Sequence, residues 1–126
     1  MVRGVGIDLF DTARIYEAIS GGDNGLPKEI FSAEEISYRE SNGDNNKSYA
    51  CLFAAKEAVM KALPANGSQP GYYWREIEIV NLSGNVMKAV LSKRLIELLS
   101  LPENYEISIS FSVNSKSALA CAVLEY

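Results

Sequence analysis

Three charged residues, Lys56, Glu57 and Lys61, interrupt an otherwise apolar stretch that covers residues 48–63. This stretch has no Gly or Pro and is rich in Ala, Leu and Met, so it predicts a long helix. Its apolar residues extend almost all the way round a helical wheel, which is typical of a helix buried on most sides. A carboxylate on such a helix must be paired, hydrogen-bonded or bound to a metal. The partner of Glu57 is therefore the key to any chemistry here.

The spacing of the sequence offers one local partner for Glu57. Lys61 lies four residues further along the predicted helix and shares its face, so the two residues could simply form a surface ion pair. Asp8 ends a predicted strand near the start of the chain, where its plain interpretation is a turn-forming or capping residue.

Composition limits the other possibilities. The chain has 126 residues, which predicts one domain over residues 1–126, and 48% of them are hydrophobic. Its net charge is −4, which disfavours sequence-independent binding to nucleic acid. The chain contains no His, the commonest general base and metal ligand in proteins. Acid–base or metal chemistry must therefore use carboxylates, Lys, Tyr, Cys or water.

Cys51 and Cys121 both lie in apolar runs, and we interpret them as buried free thiols, with a single disulfide as the alternative. The first ten residues contain too short an apolar run for a signal peptide. No segment approaches the length of apolar sequence that a membrane span requires. These features together predict a cytoplasmic protein with no membrane contact.

The first half of the chain predicts one strand followed by three helices. Residues 2–9 form the strand, in which Gly4 and Gly6 indicate close approach by another backbone or a ligand. A helix through residues 13–18 follows, capped by Asp11 or Thr12. Ser32 and Glu35 have the spacing of a capping box at the start of a second helix. Residues 41–47 are polar and predict an exposed loop before the long helix.

The second half predicts strands and one further helix. The predicted elements are a strand at 75–81, a hairpin turn at 82–85, a strand at 86–90, a helix at 91–100 and strands at 105–113 and 117–125. The last strand is apolar on both faces, which favours a central position in a sheet. The order β-α-α-α-β-β-α-β-β predicts an α+β fold with the long buried helix packed on an antiparallel sheet.

Taken together, two motifs resemble those of a known family. They are Val5-Gly6-Ile7-Asp8 in the first strand and residues 53–61, FAAKEAVMK, in the long helix. The pair resembles the phosphopantetheinyl transferases, specifically the short holo-[acyl-carrier-protein] synthase type. Further similar segments lie at residues 31–35, 74–79 and 108–110 and in the closing strand, so the resemblance spans nearly the whole chain.

The resemblance implies a function, a site and an assembly. It implies transfer of phosphopantetheine from coenzyme A to a serine of an acyl or peptidyl carrier protein, with Mg²⁺ as the cofactor. Asp8 and Glu57 would bind the metal, and Glu57 and Lys61 would form the catalytic pair. The coenzyme would contact Lys61, Lys56 and Ser110, and Arg14 would face the acidic carrier protein. These residues, all numbered as in this sequence, would act in a homotrimer with active sites between subunits.

The sequence also departs from the family pattern. Phe111 stands where the family usually has His, residues 64–67 replace a Gly-rich segment, and Gly84-Asn85-Val86 replaces a Gly-x-Pro turn. These changes motivate one alternative, a degenerate member that binds coenzyme A or a carrier protein with little or no catalysis. The other alternative is a small α+β oligomerisation domain in which Glu57 and Lys61 only form an ion pair and Arg14 only lies on a solvated helix face.

Overall fold

The computed structural model describes residues 1–20, 29–41, 45–64, 74–80 and 87–126 of the chain. They form five strands and four α-helices, in the order that the sequence predicts. The elements are β1 (Val2–Asp11), α1 (Thr12–Ser20), α2 (Ala33–Ser41), α3 (Asn45–Ala62), a 3₁₀ turn (Trp74–Glu76), β2 (Ile77–Val80), β3 (Met87–Leu91), α4 (Lys93–Leu99), β4 (Glu106–Val113) and β5 (Ser117–Glu125).

The strands form one antiparallel sheet in the order β1-β5-β4-β3-β2. The closing strand β5 therefore lies between β1 and β4, away from both edges, as its apolar sequence predicts. Its residues Ala118, Ala120, Ala122 and Leu124 are buried on the side that packs against α3. The alternate residues of β5 point to the opposite side, which we call the outward face of the sheet. The fold is α+β, as predicted.

The long helix α3 lies directly on β1, and two glycines of β1 make this possible. A Cβ atom added to Gly6 would lie 1.8 Å from the carbonyl oxygen of Ala58, and one added to Gly4 would lie 1.9 Å from that of Ala62. Only glycine permits such contact between the two backbones. The same register brings Phe10 of β1 onto Phe53 of α3, with ring centroids 4.6 Å apart. Asp8 lies between these two contacts and faces the helix.

Several local predictions are confirmed. Ser32 and Glu35 form the capping box of α2: the backbone N–H of Ser32 donates to Glu35 Oε1 at 2.8 Å, and that of Glu35 donates to Ser32 Oγ at 3.2 Å. Asp11 accepts a hydrogen bond from the backbone N–H of Ala13 at 2.9 Å, at the start of α1. Ser92 caps α4, and Ser100 ends it in the left-handed conformation.

Other predictions need correction. The predicted loop at 41–47 is partly wrong, because α2 extends to Ser41 and α3 already begins at Asn45. The predicted strand at 75–81 begins only at Ile77, because residues 74–76 form a 3₁₀ turn held against α3 by Trp74. The predicted turn at 82–85 lies outside the described residues.

The two cysteines are free, as predicted, but only Cys51 is buried. Burial raises the pKa of the Cys51 thiol to about 11. Cys121 is only half-buried because it points to the outward face of the sheet, where it pairs across the strands with Ile7. Within the described part of the chain, no helix is long and apolar enough to span a bilayer.

Candidate active site

The predicted site residues of β1 and α3 come together along the seam between these two elements. Lys61 Nζ donates to Asp8 Oδ1 at 3.0 Å and to the backbone carbonyl of Ile7 at 3.0 Å. The Asp8 side chain is 13% exposed and that of Lys61 is 53% exposed. Lys61 therefore connects the end of α3 to β1 while its ammonium group still reaches solvent.

One carboxylate oxygen of Asp8 accepts no hydrogen bond from the described residues. Its Oδ2 atom is buried and has no hydrogen-bond partner among the described residues. A buried carboxylate oxygen without a partner is costly and usually indicates a bound ion or water. Asp8 is therefore more than a turn residue, because it presents an unsatisfied acceptor beside a lysine.

Glu57 lies one helical turn before Lys61 on the same face of α3, and its partner is Trp74. The indole Nε1–H of Trp74 donates to Glu57 Oε1 at 2.6 Å. No hydrogen bond from another described residue reaches Oε2. Lys61 pairs with Asp8 instead of Glu57, so the simple Glu57–Lys61 ion pair does not form. Neither the spacing nor the motif indicated that an indole 17 residues further along the chain would hold Glu57.

Lys56 points into the protein, although it is adjacent to Glu57. Its ammonium group and the Glu35 carboxylate are both 0% exposed and lie 2.8 Å apart. Lys56 Nζ also donates to the backbone carbonyls of Ile30 at 2.8 Å and Trp74 at 2.6 Å. All three donors of the ammonium group are thus used. Direct contact between Lys56 and a coenzyme stays a prediction, and the structure leaves no free donor for it.

The environment of Lys56 affects its charge in two directions. Burial lowers its pKa, whereas the nearby Glu35 carboxylate and its hydrogen bond act to raise it. The second carboxylate oxygen of Glu35 accepts from the backbone N–H of Ile79 at 3.2 Å. Glu35 therefore has two functions, as the capping residue of α2 and as the buried counter-ion of Lys56, and only the first could be predicted.

The other predicted site residues, Ser110 and Arg14, take no part in the contact between Asp8 and Lys61. Ser110 is exposed on the outward face of β4, opposite Cys121, whereas Asp8 faces α3 from the other side of the sheet. Phe111 is half-buried and packs against the core. Arg14 is exposed on α1, with its guanidinium carbon 6.0 Å from the centre of the Phe10 ring. Within one chain, Ser110 thus lies on the opposite side of the sheet from Asp8, whereas Arg14 lies near Phe10, two residues after Asp8 on β1.

The described residues contain no cluster of three or more Cys, Asp or Glu side chains that could hold a metal alone. Mg²⁺ does not require one, since it typically takes one or two carboxylates together with substrate phosphates and waters. Among the described residues near α3, the partnerless oxygen of Asp8 and the second oxygen of Glu57 are acceptors that a cation could use. As oxygen donors, these two carboxylates fit by their chemistry a cation that shares its coordination with a bound phosphate compound.

The sequence and the fold both match known proteins. Residues 4–123 match the family model described as the 4′-phosphopantetheinyl transferase superfamily. The chain is 33% identical to a holo-[acyl-carrier-protein] synthase of Geobacter sp. (strain M21), with 99% of both chains covered. It is 34% identical to the synthase of Clostridium botulinum, with 99% of this chain and 98% of the relative covered.

Solved structures agree with this match. The fold is similar to a holo-[acyl-carrier-protein] synthase from Neisseria meningitidis, with a TM-score of 0.80, 25% identity and 100% of both chains covered. It is also similar to the synthase of Helicobacter pylori solved in complex with coenzyme A, with a TM-score of 0.77, 27% identity and coverage of 96% of this chain and 99% of that one. This chain therefore belongs to the 4′-phosphopantetheinyl transferase superfamily.

Proposed function

We propose that this member of the superfamily transfers phosphopantetheine from coenzyme A to a serine hydroxyl of an apo acyl or peptidyl carrier protein, with Mg²⁺ as its cofactor. The carrier serine oxygen forms a bond to the phosphorus that carries pantetheine. The bond from that phosphorus to the bridging oxygen breaks, adenosine bisphosphate leaves, and the serine proton is released. The observation that carries the proposal is the buried, partnerless Oδ2 of Asp8, which lies beside Lys61 in a chain that belongs to this superfamily.

Asp8 and Glu57 are the residues that would hold Mg²⁺, each through the oxygen that no described residue uses. The bound ion would polarise the pyrophosphate of coenzyme A. The ammonium group of Lys61, which is 3.0 Å from Oδ1, holds the Asp8 carboxylate in orientation. Glu57 is fixed in orientation by the indole of Trp74, 2.6 Å from Oε1.

Lys61 has a second function in this proposal. Because its side chain is 53% exposed, its charge can also face a phosphate bound above the seam. A cation placed where negative charge develops on a phosphoryl oxygen stabilises the transition state. Lys61 thus completes a catalytic pair with Glu57, one group oriented towards the metal and the other towards the phosphates.

The outward face of the sheet supports the proposed homotrimer. Three exposed apolar side chains of β1 point there, and their cross-strand partners on β5 extend the surface. The pairs are Val5 with Val123, Ile7 with Cys121 and Leu9 with Leu119. An exposed apolar surface of this kind usually marks a protein–protein interface. A second copy of this chain is the occupant that we propose.

Positions of the site residues favour active sites shared between copies. Ser110 lies on the outward face and Asp8 on the face towards α3, so one coenzyme molecule cannot easily reach both within a single chain. A neighbouring copy seated on the outward face could bring its own residues to the edge of β1. Ser110 would then contact a coenzyme that is bound mainly by the adjacent chain.

The remaining features complete the proposal. Arg14 is exposed on α1 and can meet an acidic carrier protein, which a chain with a net charge of −4 would otherwise repel. Two free thiols suit the reducing conditions of the cytoplasm. The pairing of the first strand with the last, β1 with β5, supports a single domain over residues 1–126.

One observation favours the second candidate function, a member that binds coenzyme A or a carrier protein with little catalysis. Phe111 replaces the His of the family pattern and packs against the core, so this position provides no polar group. If that lost group is essential, binding would remain and transfer would be slow. The contact between Asp8 and Lys61 and the bond from Trp74 to Glu57 support the active enzyme.

The direct test is incubation with coenzyme A, Mg²⁺ and several apo-carrier proteins, followed by mass spectrometry of the carrier. We expect a gain equal to the mass of one phosphopantetheine group, which disappears when EDTA replaces Mg²⁺. A mutated carrier whose acceptor serine is Ala serves as the control. Coenzyme binding without any mass gain would favour the second candidate, and absence of both would refute the proposed function.

A further inference from the structure

Two adjacent residues of α3 bond Trp74, one through its side chain and the other through its backbone carbonyl. Its indole Nε1–H donates to Glu57 Oε1 at 2.6 Å, and its backbone carbonyl accepts from Lys56 Nζ at 2.6 Å. The Trp74 ring also packs against Phe53, with the centroids 6.1 Å apart. The turn that precedes β2 is thereby fixed to the helix that carries the proposed metal ligand.

The hydrogen bond from Lys56 to the Trp74 carbonyl depends on a buried ion pair. Lys56 and Glu35 are both 0% exposed and lie 2.8 Å apart, and burying two charges is expensive unless further hydrogen bonds satisfy them. Those bonds are present: the backbone N–H groups of Ser32 and Ile79 donate to Glu35, and the carbonyl of Ile30 accepts from Lys56. A fully satisfied network of this kind has one geometry and therefore defines the position of Trp74.

The network ends at Glu57. A hydrogen bond from a neutral N–H to a carboxylate is stronger than one between neutral groups and fixes the carboxylate plane. With Oε1 held by the indole, only Oε2 is directed to another partner. Groups that hydrogen-bond metal ligands in this way commonly control metal affinity by about 10–100-fold.

We propose that Trp74 is a positioning residue for Glu57 and that the buried Glu35–Lys56 pair acts through Trp74 to hold it in place. The inference rests on the proposed function in one respect, since it takes Glu57 to be a metal ligand. It gives Lys56 a different role from direct coenzyme contact: Lys56 orients the residue next to it in the sequence by way of the turn at residues 74–76.

The first test needs neither metal nor coenzyme. Trp74 is the only tryptophan of the chain, so its indole N–H gives a single signal in a ¹H–¹⁵N correlation spectrum. We expect a strongly hydrogen-bonded, downfield indole proton that moves upfield in Glu57→Gln. It should also move in the double variant Glu35→Gln/Lys56→Met, which removes both buried charges together. Glu34→Gln and Lys93→Met change exposed neighbours of the same types and should leave the signal in place.

An indole signal that is the same in Glu57→Gln and in the unchanged protein would overturn the inference. If the double variant does not fold, the Glu57→Gln spectrum still decides the contact between Trp74 and Glu57. A double variant that folds and leaves the indole signal unmoved would refute the contribution of the buried pair.

The second test separates positioning from simple stability. Trp74→Phe keeps an aromatic ring against Phe53 but removes the indole donor. We expect coenzyme A to bind about tenfold more weakly when Mg²⁺ is present, with no change in EDTA. Tyr105→Phe is the matched control, because it removes a hydrogen bond from the backbone N–H of Leu91 elsewhere in the fold. It should lower thermal stability without altering the Mg²⁺-dependent part of coenzyme binding.

Equal loss of binding with and without Mg²⁺ in Trp74→Phe would show that Trp74 is only structural and would overturn the inference. Failure of the proposed function looks different: the unchanged protein would neither bind coenzyme A nor modify a carrier, whatever the indole spectra show.

Discussion

At the scale of single residues, Lys61 has two partners on β1 and remains half exposed. It bonds both the side chain of Asp8 and the carbonyl of Ile7, each at 3.0 Å. An ion pair with so much solvent access contributes little to stability, because water screens it. We therefore expect the charge of Lys61 to act locally, on the pyrophosphate that we propose binds beside it.

Lys61→Met tests this role. We expect the rate of carrier modification to fall by about 10²–10³-fold, the loss typical of removing one preorganised charge or donor from a phosphoryl or oxyanion site. The free energy of unfolding should change by less than about 1 kcal/mol. Rates come from mass spectrometry of the carrier, and stability from urea unfolding. Lys93→Met, at an exposed position on α4, is the control, and equal rates in the two variants would refute the catalytic role.

The residues of the site show what spacing alone can reveal. Glu57 and Lys61 share a helix face in the sequence, and they do so in the structure. The actual partners, Trp74 for Glu57 and Asp8 for Lys61, are 17 and 53 residues away. Only tertiary packing creates these contacts, so local rules favoured the simple Glu57–Lys61 pair.

At the scale of elements, the contact between β1 and α3 decides the geometry of the site. Gly4 and Gly6 allow the strand backbone to touch the carbonyls of Ala62 and Ala58. This contact fixes the position along the helix at which Asp8 meets Lys61. Any side chain at Gly6 would separate the strand from the helix.

Gly6→Ala should destabilise the protein by about 1–3 kcal/mol, the usual cost of overpacking, because its Cβ would overlap the Ala58 carbonyl. It should also lower activity by moving Asp8 away from α3. Thermal unfolding and the carrier assay measure the two effects. Ser112→Ala, at an exposed position on β4, is the control. Wild-type stability in Gly6→Ala would show that the backbones are not in contact.

The turn at Trp74–Glu76 is anchored to α4 by Glu76. Arg94 donates two hydrogen bonds to the Glu76 carboxylate, at 2.8 and 2.7 Å, and Ser92 Oγ donates a third at 2.9 Å. The guanidinium of Arg94 holds the pKa of the Glu76 carboxyl below its ordinary value of 4.5. A lowered pKa in the folded state stabilises the protein above the unfolded pKa, and this contribution is lost as the pH falls through the folded pKa.

Glu76→Gln should therefore be less stable than the unchanged protein at pH 7, by about 0.5–1 kcal/mol for this largely surface pair. The difference should shrink as the pH falls below 4.5. Urea unfolding at pH 7, 5, 4 and 3 measures it, with Glu97→Gln on the exposed side of α4 as the control. A difference that stays constant over this range would exclude an ionic origin.

Most elements could be predicted because they follow local rules. The capping box at Ser32, the alternation of β4 and the apolar run of β5 each depend on neighbours in sequence. The start of β2 could not be predicted, because residues 74–76 are fixed by bonds from Trp74 to α3. The buried role of Glu35 was equally hidden, since a capping glutamate normally lies at the surface.

At the scale of the whole molecule, the outward face of the sheet is an apolar surface that the described residues leave exposed. Ile7 is 58% exposed and Leu9 69% exposed, side by side with apolar partners on β5. Burying such a surface between copies would be favourable. Composition gave no indication of this surface, and the sheet register shows that these side chains share one face.

Ile7→Glu should convert the proposed trimer to monomers, because each copy would bury a carboxylate without a partner in the proposed interface. Light scattering after gel filtration should give three times the chain mass of 13.8 kDa for the unchanged protein and that mass itself for the variant. Cys121 lies beside Ile7 and should react with a maleimide much faster in the variant, whereas the buried Cys51 should stay slow in both. A monomeric unchanged protein would refute the assembly.

In the proposed site, Asp8 of β1 and Glu57 of α3 would share one cation with the pyrophosphate of coenzyme A. Calorimetric titration of Mg²⁺ into the protein saturated with coenzyme A measures this most directly, for the unchanged protein, Asp8→Asn, Glu57→Gln and the double variant. We predict one Mg²⁺ site that either single change weakens at least about tenfold, with a loss of binding free energy in the double variant that differs from the sum of the two single losses because both ligands serve one ion. Unchanged Mg²⁺ affinity in either single variant would contradict the shared site.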